Sequence, residues 1–167
     1  MNRKNEMTKL LKLVEMDSAD ITTVEKPIIG TQALATCFGV LLYDEKNKEA
    51  IVAHVSSNWK KAVSLIFNLI SCGEFRTFKY LIIPGYYSER EDNYNIGSLL
   101  TKIFTESNVK TVNFIPFEMI YSKYKQKDLT ESYHFAFDSR TGKFVTDKVL
   151  FGEEYLKISE EVKKEVN

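Results

Sequence analysis

The sequence predicts an α/β layered sandwich, a mixed sheet packed against helices. Three observations carry that expectation. Short β-branched and aromatic runs recur along the chain, each bounded by turn residues. Two segments between them repeat their apolar residues at the three-to-four spacing of an amphipathic helix. Nine Tyr and eleven Phe supply the bulk of a β-rich interior. Interleaved strands and helices form layers because every apolar sheet face and helix stripe has to be covered. At 167 residues the chain reads as one domain with a sizeable core.

The elements follow in order. Residues 1–7 are polar. Thr8 to Met16 sets Leu10, Leu11 and Val14 on one side, and the period fits a short helix as well as a strand. Ile21 to Glu25 reads as a strand, broken by Pro27 and Gly30. The apolar run Leu34 to Asp44, the polar turn Glu45 to Lys48 and the second run Glu49 to Val55 read as an antiparallel hairpin. With the turn centred near Asn47, paired residue numbers sum to roughly 92. Ser56-Ser57-Asn58 offers a cap for a helix over Trp59 to Cys72, with Ala62, Leu65, Ile66, Leu69 and Ile70 on its inner face. Gly73 ends it.

Thr77 to Ile83 is nearly continuous in apolar residues, as in a strand covered on both faces, and Pro84-Gly85 stops it. Tyr86 to Tyr94 is a charged, tyrosine-bearing loop, the best candidate to face a substrate through Tyr86 and Tyr87. Solvation alone also accounts for such a loop. Asn95 caps a helix over Ile96 to Glu106, and Val109 to Ile115 is the next strand. Glu118 to Lys127 reads as a loop or a turn of helix. Tyr133 to Phe137 and Lys143 to Thr146 form a hairpin about Ser139 to Gly142, and Gly152 to Asn167 reads as a surface helix. The domain is expected over 21–150, between an N-terminal extension at 1–20 and a C-terminal tail at 151–167.

Lys plus Arg and Asp plus Glu both number 23, so nothing in the net charge argues for nucleic acid or an anionic membrane surface. No apolar run approaches the length of a membrane span, and no secretory signal is expected. The two cysteines, Cys37 and Cys72, could form a single bridge but are expected reduced in a cytoplasmic protein, with secretion into a host cell without a secretory signal as the alternative. No phosphate-loop or dinucleotide glycine pattern occurs, and two Cys and two His lack zinc spacing. No cofactor and no metal are therefore expected. Cys72 and His134 read as packing groups.

Cys37 and His54 carry the chemistry. The hairpin register puts Cys37 opposite a residue near Val55, one position from His54. A thiol beside an imidazole is the minimum for a cysteine nucleophile, since the base takes the proton and the thiolate attacks a carbonyl. Such a cysteine is expected to have a depressed pKa and to alkylate faster than Cys72. The plain alternative is that both are satisfied interior groups.

Thr31, Cys37 and His54, six and seventeen residues apart, resemble the active site of the chemoreceptor glutamine deamidase family (CheD). Tyr43-Asp44-Glu45-Lys46-Asn47-Lys48 is similar to the strand end that follows the nucleophile in that family. Phe137-Asp138-Ser139-Arg140-Thr141-Gly142 resembles its F-D-x-x-T-G hairpin, and Asn95-Ile96-Gly97 its I-G element. The likeness covers about residues 25–150 and extends to bacterial toxin deamidases of the cytotoxic necrotizing factor type. Where the family has Gly-Ser before the nucleophile, this chain has Ala35-Thr36. The family's glycine-rich loop after the third strand is reduced to Pro84-Gly85.

The resemblance implies an αββα sandwich and a protein-glutamine deamidase, a cysteine hydrolase that converts glutamine side chains to glutamate. It implies catalytic Cys37, His54 and Thr31, with Thr31 fixing the tautomer of His54, and Thr36 beside the substrate. The partner would be a protein with an accessible glutamine, a chemoreceptor or a host protein. The alternatives are another cysteine acyl-transfer enzyme, a peptidase or transglutaminase, and a catalytically inactive binding module of the same fold.

Overall fold

In the computed structural model, residues 3–70, 76–87, 91–107, 109–113, 122–124 and 131–145 are described. Helix α1 (Arg3–Leu10) runs into β1 (Leu11–Val14), and a turn leads to β2 (Ser18–Ile21). Then come β3 (Ile28–Leu34), β4 (Phe38–Asp44), β5 (Glu49–Val55), α2 (Trp59–Ile70) and β6 (Thr77–Pro84). Helix α3 (Glu91–Glu106), β7 (Lys110–Asn113), β8 (Ser122–Tyr124), β9 (Ser132–Asp138) and β10 (Lys143–Phe144) complete the described chain.

The fold is mixed α/β with two sheets. The first has the order β1-β3-β9-β10, with β8 also on β9, and the second the order β2-β5-β4-β6-β7. Pairing is parallel for β1–β3 and β6–β7 and antiparallel elsewhere. Alternation along each strand decides what covers it. Leu41, Tyr43, Val52 and Ile83 of the second sheet pack with Ile29, Leu34, Phe135 and Phe137 of the first, so the sheets meet face to face. Val40, Leu42, Ile51, Ala53 and Val55 point the other way, onto Ala62, Val63, Ile66 and Ile70 of α2 and Leu100 and Phe104 of α3. Met7 and Leu10 of α1 pack with Leu11, Ile28 and Ala136 in a smaller cluster.

The central hairpin forms in the predicted place. Its turn is fixed locally: Asn47 N donates to Asp44 Oδ1 at 2.9 Å, and Lys48 takes the left-handed φ of 55°. Phe38 pairs with Val55 and Gly39 with His54, so partners sum to 93 (38 and 55), one more than the turn centre predicts.

Several predicted elements move. The run Leu34 to Asp44 is not one strand. Leu34 ends β3 in the first sheet, Phe38 begins β4 in the second, and residues 35–37 carry the chain across. An apolar run cannot reveal such a crossing, because both ends are buried. The strand expected at Ile21–Glu25 lies at Ser18–Ile21, where its backbone pairs with β5; Val24 beyond it is 93% exposed. The expected boundary at residue 20 therefore falls inside β2. Helix α3 begins at Glu91 rather than at an Asn95 cap, because a polar residue inside a helix costs only a few tenths of a kcal/mol. A strand, β8, stands within Glu118–Lys127, drawn in by the open edge of β9. Cys72, most of Glu118–Lys127 and the tail 151–167 lie outside the described residues.

Candidate active site

The predicted residues lie toward one end of the sandwich, with Thr31 and His54 in contact and Cys37 at the end of the crossing. Cys37 ends the crossing just before β4, His54 lies near the end of β5, and Thr31 sits on β3 across the gap. His54 pairs with Gly39 and, two along from Val52, points to the inter-sheet face; Cys37, one residue before β4, packs in the cluster on that face. That face is the one turned toward the first sheet. Gly39 is required there: a Cβ would stand 2.6 Å from the Phe135 ring.

Thr31 and His54 are joined directly. Thr31 Oγ1 lies 2.8 Å from His54 Nδ1 and donates to the Val14 carbonyl oxygen at 2.7 Å. A hydroxyl has one hydrogen. Since Val14 takes it, Thr31 can only accept from His54, and the imidazole proton sits on Nδ1. Nε2 then carries the lone pair. It is buried and has no hydrogen-bond partner among the described residues. His54 and Thr31 are 3% and 0% exposed. Burial drives the imidazole pKa down to about 4, against a smaller upward pull from the Asp17 carboxylate, so His54 is neutral at pH 7.

Cys37 is 7% exposed and packs among Leu34, Leu41 and Ile83. Its pKa does not follow the expected depression. Burial pushes the thiol up, the Asp17 charge pushes it further, and a hydrogen bond from the Thr36 side chain only partly offsets them. The resting site is thus a neutral thiol and a neutral imidazole on one face, with no hydrogen bond yet joining them.

The crossing is strapped from the end of β6. Gly85 N donates to Cys37 O at 2.9 Å, Tyr86 N to Leu34 O at 3.1 Å and Tyr87 N to Ala35 O at 2.7 Å. A Cβ on Gly85 would stand 2.5 Å from Cys37 O and 2.6 Å from Ala35 O. At the start of the crossing Ala33 is left-handed, with φ 64°, beside a register shift between Thr31 and Leu34. The rings of Tyr86 and Tyr87 stand 4.8 Å apart, and Tyr133 of β9 joins Tyr86 at 5.4 Å. Tyr86 donates to Glu131, which with burial drives its pKa to about 12. Tyr86 and Tyr87, predicted to face a substrate, therefore sit one backbone step from the cysteine segment.

Sequence reasoning missed the turn between β1 and β2. Val14 O fixes the Thr31 hydroxyl, Asp17 N donates to His54 O at 2.8 Å, and Asp17 Oδ1 accepts from Ser56 N and Oγ at 3.1 and 2.6 Å. Periodicity marks Val14 only as an apolar position, and only turn chemistry at Asp17-Ser18 hints at the rest. Among the described residues no cluster of three or more His, Cys, Asp or Glu could hold a metal ion. None of the described helices is long and apolar enough to cross a membrane. A scan of the chain against protein-family models gives no match, and a search of curated proteins finds none.

Proposed function

We propose that the protein is a protein-glutamine deamidase acting through Cys37, His54 and Thr31, with the αββα layering of the CheD-type and cytotoxic necrotizing factor-type enzymes. One observation carries this reading. The Val14–Thr31–His54 chain leaves a bare, buried Nε2 on the face from which the Cys37 thiol projects.

When a glutamine side chain enters, the thiol proton passes to His54 Nε2 and Sγ bonds to the carboxamide carbon. Because both groups rest neutral, proton transfer accompanies attack rather than preceding it. The oxyanion is held by backbone N–H groups around Thr36-Cys37. The imidazolium gives its proton to the leaving nitrogen, the C–N bond breaks, and ammonia departs from a Cys37 thioester. Water then loses a proton to Nε2 and adds to the thioester. The thiolate is expelled and reprotonated, and glutamate is released. Thr31 accepts from Nδ1–H throughout and keeps the ring in the working tautomer. Tyr86, Tyr87 and Thr36 border the glutamine-bearing segment, which belongs to a chemoreceptor or a host protein met in the cytoplasm of one cell or the other.

The burial and raised pKa of Cys37 favour a second reading, an inactive binding module of the same fold. Ammonia release and peptide mass mapping on cell lysate separate the two. Deamidation adds about one dalton at glutamine and disappears with Cys37→Ser. Equal conversion with that variant ends the reading, and chain cleavage or amine incorporation would mark a peptidase or transglutaminase instead.

A further inference from the structure

The β1–β2 turn serves the site from outside the predicted triad. With the end of β1 it holds both partners of the Thr31–His54 hydrogen bond, Thr31 through Val14 O of β1 and His54 through the backbone N–H of Asp17 in the turn. Asp17 adopts φ 57°, a left-handed conformation that Asp tolerates better than most residues. It pins His54 O with its N–H and Ser56 N and Oγ with its carboxylate, so the two sides of Val55 are fixed by one residue. Met16 bridges to His54 and Ser18 pairs with it.

Resting on the deamidase reading, we propose that Asp17 is a positioning residue which latches the end of β5 and places a fixed negative charge beside the Cys37–His54 pair. Thr31 is a neutral third member and cannot stabilise an imidazolium by charge; Asp17 supplies that charge from the neighbouring turn. The same charge opposes a thiolate at rest. The direction of both effects agrees with the geometry of the latch, the carboxylate favouring the protonated form of His54 and of Cys37. Among the described residues, the other groups around the pair bear no competing charge. Thr31 faces it from β3 and Tyr133 from β9, and Tyr86 and Tyr87 lie at the end of β6. Glu131 is tied to Tyr86, His134 alternates to the outer face of β9, Glu15 is exposed, and Lys60 lies over the Trp59 ring.

The test uses the full chain and two rates. Asp17→Asn keeps an acceptor for Ser56 and removes the charge. The alkaline limb of Cys37 alkylation by iodoacetamide, followed by peptide mass, is expected to move to lower pH, with alkylation about two- to tenfold faster at pH 8. Ammonia release from glutamine-bearing lysate protein is expected to slow by about tenfold, since the imidazolium has lost its counter-charge. Asp17→Glu is expected to restore the alkylation profile. A superimposable limb, or two rates that fall together, overturns the proposal, because simple loss of structure slows both. If Asp17→Asn does not fold, Asp17→Gly carries the test, since Gly suits the left-handed φ: loss of the carboxylate must move the limb in the same direction, and an unmoved limb overturns it. Alkylation needs no deamidation. A limb that depends on residue 17 without wild-type ammonia release supports the coupling and ends only the deamidase reading; ammonia release with an independent limb ends only the coupling.

Discussion

Thr31 has a single hydroxyl hydrogen, and its donation to Val14 O dictates the chemistry of the residue beside it. Removing that hydroxyl frees the imidazole to exchange tautomers. Thr31→Ala is expected to lower kcat on the order of tenfold, whereas Cys37→Ser abolishes turnover; ammonia release measures both. The pH dependence follows from the two shifted groups. His54 titrates near 4 and Cys37 above the usual thiol range. The kcat/KM profile is therefore expected to stay flat well below pH 6.5 and to fall only as His54 protonates. An acid limb at the ordinary histidine pKa would show that His54 is not held as described.

At the scale of elements, the site depends on where the chain crosses between sheets. Cys37 is held by backbone hydrogen bonds from 85–87 to 34–37, and Gly85 has no room for a methyl group. Gly85→Ala is expected to destabilise the fold by about 1–3 kcal/mol in urea titration and to reduce ammonia release more than stability alone explains. The hairpin was legible in the sequence because alternation and a polar turn are local signals; its register came within one residue of the observed pairing. The crossing at 35–37 was not, because Leu34 and Phe38 are buried in different sheets and equally apolar. Cys37 and His54 could be paired from the hairpin alone. Thr31 needed a resemblance, and Asp17 needed coordinates, since both act across long sequence separations. Strand β2 was misplaced because Thr22 to Glu25 carry strand-like residues, yet the pairing partner lies opposite Ser18 to Ile21.

Across the whole molecule, the two histidines contribute to the acid stability between about pH 6.5 and 4. Both are buried, and burial lowers each pKa from 6.5 to about 4. Unfolding restores the ordinary value, so between about pH 6.5 and 4 the unfolded chain binds protons that the folded chain refuses. Stability contributed by these groups is complete above 6.5 and is lost as pH falls through that window, at about 1.4 kcal/mol per pH unit per histidine. Urea midpoints at pH 7 and pH 5 check this. His134→Gln is expected to halve the slope, because it leaves His54 as the one buried histidine.

The most direct measurement is covalent trapping. A diazoketone analogue of glutamine, incubated with the protein and located by peptide mass mapping, is expected to alkylate Cys37. The label should form much more slowly in His54→Gln and at a reduced rate in Thr31→Ala. Labelling elsewhere in the chain, or labelling of Cys37 at the same rate without His54, would contradict the account.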